Sequence, residues 1–173
     1  RLYPSLFANA DKHIQIIRLL STVNQGLTRQ QIIKKGKLSD GGSTSKVLLE
    51  LEQSGFITAY YPFARRKKDK LFRLTDEYSL FYLRFIEPHK HDGENTWKYL
   101  SQTQAYKTWS GYAYENVCFA HIPQIKTKLG ISGILTKIFS YVAKPTDDLP
   151  GTQIDLLIDR IDHTIHLCEV KFS

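Results

Sequence analysis

The chain has no methionine and only two cysteines in 173 residues. It also has no apolar run approaching the roughly 18 residues that would span a bilayer. Each scarcity removes a class of protein. Cys118 and Cys168 lack C-x-x-C spacing and lie in apolar stretches, so they read as reduced core thiols rather than as zinc ligands or a disulfide. No charged-then-apolar leader opens the sequence, and a soluble cytoplasmic protein without membrane attachment is the expectation. The pattern G-x-x-x-x-G-K-[ST] is missing, so this chain carries no nucleotide-binding loop. With Arg1 first and no methionine anywhere, we expect a piece of a longer protein.

Acids are scarce in one half only. Residues 1 to 90 hold sixteen Lys and Arg against eight acids, whereas residues 91 to 173 hold eight against nine. A basic first half suits a polyanion partner, and a nearly neutral second half leaves room for clustered acids that bind metal.

In the basic half, Ile16, Leu19, Leu20 and Val23 share one face of a helix running from Lys12 to Val23. Thr28-Arg29-Gln30-Gln31 has the form of a capping box, which starts a second helix that stops at Gly36. A third helix, from about Thr44 to Ser54, turns Val47, Leu48 and Leu51 inward and ends at Gly55. Strands follow at Phe56 to Tyr61 and Leu71 to Leu74. Three short helices and a hairpin describe a winged helix. In a DNA-binding role, Ser43, Thr44, Ser45 and Lys46 would face a groove, while Arg65, Arg66, Lys67 and Lys68 on the wing would neutralise phosphates. Glu50 and Glu52 on the third helix weigh against deep insertion, and winged helices also serve as protein-docking modules. Beyond the hairpin, Tyr78, Phe81, Tyr82 and Phe85 have the spacing of a core-packed helix over Thr75 to Glu87, followed by a linker from Pro88 to Gly93. The expected domains are therefore 1–88 and 89–173.

The last twenty residues carry the chemistry. Gln153 to Arg160 and Ile165 to Phe172 read as two antiparallel strands around the loop Ile161-Asp162-His163. If that loop is three residues long, Arg160 pairs with Thr164, and Asp155 stands opposite Glu169 and Gln153 opposite Lys171 on one face. A two-residue loop would set Asp155 opposite Val170 instead. Two facing carboxylates repel unless a cation lies between them, and Mg²⁺ is the usual one. Upstream, Cys118, Ile122, Ile125 and Leu129 form an apolar stripe on a helix from Trp109 to Leu129, with Glu115 at its head as a third acid. A charged cross-strand network on a wet sheet face is the plainer alternative.

The order helix Glu115, strand Asp155, strand Glu169-Val170-Lys171 resembles the PD-(D/E)XK nuclease core. More closely, Trp109-Ser110-Gly111-Tyr112-Ala113-Tyr114-Glu115-Asn116-Val117-Cys118, Leu129-Gly130-Ile131, Gly151 to Arg160 and Leu167 to Ser173 are similar to the C-terminal region of a family of archaeal and bacterial AAA+ ATPases. The resemblance covers most of the chain. It implies an α+β chain: a winged-helix domain followed by a PD-(D/E)XK (restriction-endonuclease-like) domain that stops after its E-x-K strand. It also implies an ATPase domain, with its ATP, outside this chain. Glu115, Asp155 and Glu169 would bind Mg²⁺, Lys171 would assist the attacking water, and Gln153 would orient a water or phosphate. The implied activity is hydrolysis of DNA phosphodiesters. The alternative is a non-catalytic DNA-binding or protein-docking module of the ATPase.

Overall fold

The computed structural model describes residues 2–7, 9–61, 70–143 and 145–172. The chain is mixed helix and sheet in sequential blocks, an α+β protein, and it divides into two compact units, with the division after Trp97. That lies beyond the expected break at residue 88. The indole of Trp97 sets its edge against Phe81 and Phe85, at 5.2 and 6.4 Å between ring centres, and so draws the intervening segment into the first unit.

The first unit opens with α1 (Leu2–Leu6), α2 (Asp11–Ser21), a short β1 (Leu27–Thr28), α3 (Arg29–Gly36) and α4 (Gly42–Gln53). The hairpin β2 (Ile57–Tyr60) and β3 (Leu71–Leu74) follows, then α5 (Glu77–Phe81) and a π-helical turn over Tyr82–Ile86. The capping box forms as the sequence implies. The Thr28 side chain accepts from the Gln31 N–H, and the Gln31 side chain accepts from the Thr28 N–H, which satisfies two orphan donors of α3. Lys37 closes the helix in the left-handed conformation. Ile16, Ile17 and Leu20 of α2 meet Ile32 of α3, Val47, Leu48 and Leu51 of α4, and Ile57, Phe72 and Leu74 of the sheet in one core. Each such aliphatic side chain, taken out of water, stabilises the unit by about 1.5–3 kcal/mol.

Two details of the expected pattern change. β1 joins the hairpin as a third strand in the order β1-β3-β2, antiparallel throughout. Gly26 makes this possible, since at φ +76° a Cβ there would lie 2.5 Å from the Phe72 carbonyl oxygen. Tyr78 is not a core ring. It is 60% exposed and stacks on Tyr82, while Phe85 is the buried member of the aromatic set.

After the short α6 (Thr96–Leu100), α7 (Gln104–Ala120) and α8 (Ile122–Lys128) of the second unit replace the single helix expected from Trp109 to Leu129, with a break at His121. Pro123 is the cause. Its ring cannot follow an unbroken helical turn, but it fits the first turn of a new helix, where it sits. The stripe is split accordingly. Ile122 and Ile125 pack on the sheet core, Cys118 is half-buried and Leu129 is exposed. The sheet contains β4 (Thr136–Ala143), β5 (Thr152–Arg160) and β6 (Ile165–Cys168) in the order β4-β5-β6, all antiparallel. Leu156 and Ile158 of β5 form its core with Ile131.

Candidate functional site

The loop between β5 and β6 decides where the acids lie. The Arg160 N–H donates to the Thr164 carbonyl at 2.9 Å, and the ladder runs Asp159↔Ile165 to Leu156↔Cys168. This is the three-residue loop, with His163 in the left-handed region at φ +63°, the conformation that such loops use to turn back. Arg160 closes it from the side. Its guanidinium binds the Asp162 carboxylate and also donates to His166 Nε2 at 3.1 Å. The Arg160 hydrogen bond holds the Asp162 carboxyl below its ordinary range.

One step beyond the last ladder pair, the register brings Asp155 to Glu169. The strand pairing stops there and side chains take over. Asp155 Oδ2 accepts the backbone N–H of Val170 at 2.9 Å, and Oδ1 accepts from Gln153 Nε2 at 3.0 Å. On its other side, β5 carries a bulge: Phe139 faces Leu157 and Tyr141 faces Ile154, so Asp155 and Leu156 together oppose Ser140. A bulge bends its strand and re-aims the side chain it carries, and strict alternation of faces does not anticipate that. Asp155 is half-buried, whereas Glu169 and Lys171 are exposed. Lys171 Nζ lies 3.2 Å from Glu169 Oε1. The lysine expected beside Gln153 thus pairs with the glutamate two residues before it.

Glu115 is half-buried on α7, one turn before Cys118. Burial pushes the Cys118 thiol above its ordinary value, and the Glu115 charge adds to this. Burial also raises Cys168, and both cysteines are free thiols. Among the described residues, no three His, Cys, Asp or Glu side chains gather closely enough to hold a metal ion. The expected triad of Glu115, Asp155 and Glu169 is therefore not assembled. Each strand acid is satisfied by a local donor: the Val170 amide and Gln153 for Asp155, and Lys171 for Glu169.

The second candidate surface is the start of α4. Ser43, Ser45 and Lys46 are exposed there, but Thr44 is not. It is 1% exposed, and its hydroxyl donates to the Ser39 carbonyl at 2.8 Å, so its side chain serves the turn and cannot reach a groove. Two basic residues absent from the expected set support this turn. Lys12 Nζ donates to Ser43 Oγ at 3.1 Å. Arg29 Nε donates to Ser45 Oγ at 3.1 Å, and the same guanidinium binds Asp40 at 2.7 Å. That hydrogen bond holds the Asp40 carboxyl below its ordinary value. No sequence periodicity points to Lys12 or Arg29, because the contacts cross from α2 and α3 to α4. Arg65, Arg66, Lys67 and Lys68 lie outside the described residues. In the segment that follows the π-helical turn, His89 Nδ1 lies 2.6 Å from Asp92 Oδ2.

Compared with protein-family models, with curated proteins and with solved structures, the chain matches none.

Proposed function

We propose that this chain is the DNA-binding and nuclease-like region of an AAA+ ATPase, with a winged helix in the first unit and a PD-(D/E)XK-type core in the second. The observation that carries the proposal is the hairpin register. It sets Asp155 within β5 next to Glu169, just past the end of β6, with Lys171 beside Glu169 and Gln153 bonded to Asp155. The order α7, β4, β5, β6 and the bulge at Asp155 support it as well. In the first unit, the order helix, strand, helix, helix, hairpin supports the winged-helix reading.

The donor set suits Mg²⁺ of one kind. That ion keeps most of its waters and takes one or two protein carboxylates together with substrate phosphate, so Asp155 and Glu169 are the residues that would hold it. A bound Mg²⁺ would supply charge neutralisation at the phosphate and a more acidic water. Glu115 would act from outside that pair. Lys171, released from Glu169, would hold its ammonium toward the charge that develops on the phosphate. Gln153 keeps Asp155 oriented through the bond it already makes.

A specific observation favours the non-catalytic alternative. Lys171 neutralises Glu169, and no three-ligand group exists among the described residues, as in a charged network on a wet sheet face. One experiment separates the two. Mg²⁺ titration by calorimetry and plasmid cleavage are run on the chain and on Asp155→Ala and Glu169→Ala. The nuclease reading expects metal binding and cleavage that both substitutions abolish; full cleavage by Asp155→Ala would sink it.

A further inference from the structure

A cleft of about 580 Å³ lies inside the first unit, between the α1–α2 junction and α4. Leu6, Phe7 and Val47 give it an apolar wall, and Lys12, Ser43 and Lys46 stand at its rim. Pockets of this size hold small molecules, oriented by a few placed polar groups. The charges in it decide what kind.

Glu50 is the only acid among the lining residues, and it is already matched. His13, 4% exposed, brings Nε2 to 2.8 Å from Glu50 Oε2 and Nδ1 to 3.2 Å from the Asn9 carbonyl oxygen. Both ring nitrogens are thus engaged by oxygen partners, and one Glu50 oxygen is taken up by the imidazole. The Phe7 ring stacks on this imidazole at 4.0 Å, with 14° between the planes, and screens the pair on that side. Among the described residues Lys12 bonds the neutral Ser43 hydroxyl, and Lys46 stands 3.8 Å from Glu50 Oε1, so the two ammonium groups outnumber the one carboxylate of the cleft. Two ammonium groups and the Ser43 hydroxyl are the donor set for a tetrahedral dianion. The uncapped first turn of α4, whose N-cap Gly41 has no side chain to offer, adds a field of the same sign.

We propose that the cleft binds a phosphomonoester with an apolar body, its phosphate held by Lys12, Lys46 and Ser43 and its body against Phe7 and Val47. A ligand there takes Ser43 and Lys46 out of reach of nucleic acid. Competition with DNA therefore follows, and that consequence alone rests on the DNA-binding reading above.

The test is a chemical-shift titration of the full chain with phenyl phosphate, inorganic phosphate and phenol, repeated on Lys12→Ala and Lys46→Ala, with duplex DNA as a separate arm. The expected result is saturable binding of phenyl phosphate, with shifts at Phe7, Ser43 and Lys46. Affinity should be about tenfold or more weaker for inorganic phosphate and for either lysine variant, the loss that follows from removing the body or one charged donor. No saturation by phenyl phosphate up to about 10 mM, a scale that already marks very weak binding, overturns the proposal; so does equal binding by wild type and both variants. If duplex DNA alone shifts Ser43 and Lys46, the proposal fails and the lysines belong to backbone contact. If phenyl phosphate binds and DNA does not, the site stands and the DNA reading falls.

Discussion

Single residues in this protein are set by which polar groups can find partners. Thr28 and Gln31 satisfy one another at the head of α3. Thr28→Ala should lower stability by about 1 kcal/mol, read as a shift in the urea midpoint with unchanged slope. Arg18 and Glu87 form a two-pronged pair at 2.6 and 2.7 Å. The Arg18 hydrogen bond holds the Glu87 carboxyl below its ordinary value of 4.5. A carboxyl whose folded value is depressed contributes fully above its unfolded value and loses that contribution as pH falls through the folded one. Glu87→Gln should therefore cost no more than about 1 kcal/mol at pH 7, since the pair is partly in water, and nothing once both states are protonated in acid. Denaturation of wild type and variant across pH 2–7 tests this, and a gap that persists at the acid end contradicts it.

At the level of elements, pairing and breaks follow from backbone chemistry. Gly26 sits where β1 meets β3, with no room for a Cβ and a positive φ. Gly26→Ala should cost more than about 2 kcal/mol, because strain and contact with the Phe72 carbonyl add. Thermal unfolding reads the loss directly; an unchanged midpoint would mean that β1 is not held there. In the second sheet, Asp155 receives the Val170 N–H where the ladder ends. Asp155→Ala should leave the folded core intact while speeding hydrogen exchange at Val170 roughly tenfold, as expected when a half-buried N–H beyond the ladder loses a bond of about 1 kcal/mol. Exchange at Val170 that stays as slow as in wild type removes Asp155 from this role. The same variant tests metal binding, so exchange tells a structural effect from a chemical one. The hairpin was legible from Ile161-Asp162-His163 and the flanking runs, but the choice between a two- and a three-residue loop was made only by the Arg160–Thr164 pairing. β4 has no strict alternation to announce it, although Ile138, Phe139, Tyr141 and Val142 are the β-branched and aromatic residues of a strand.

For the whole molecule, charge is the feature that reaches furthest. If the basic half binds DNA through phosphates, affinity should fall steeply and linearly with the logarithm of salt, and Lys46→Ala should reduce the slope by about one unit. Fluorescence anisotropy across a salt series reads both, and a salt-independent affinity would exclude phosphate contact.

The sequence by itself determined much of this protein: helices α2 to α4 with their capping box, the first hairpin and the strands of the second, while the loop length that sets Asp155 toward Glu169 was decided by the structure. These follow from local period and turn chemistry, which neighbouring residues carry. Only the tertiary structure decided that Thr44 is buried, that β1 completes a sheet, that a bulge displaces Asp155, and that Lys171 turns to Glu169. It also decided that Glu115 does not join the two strand acids in a metal-holding group among the described residues. Each of these depends on which distant segment supplies the partner, and sequence spacing has no term for that contact.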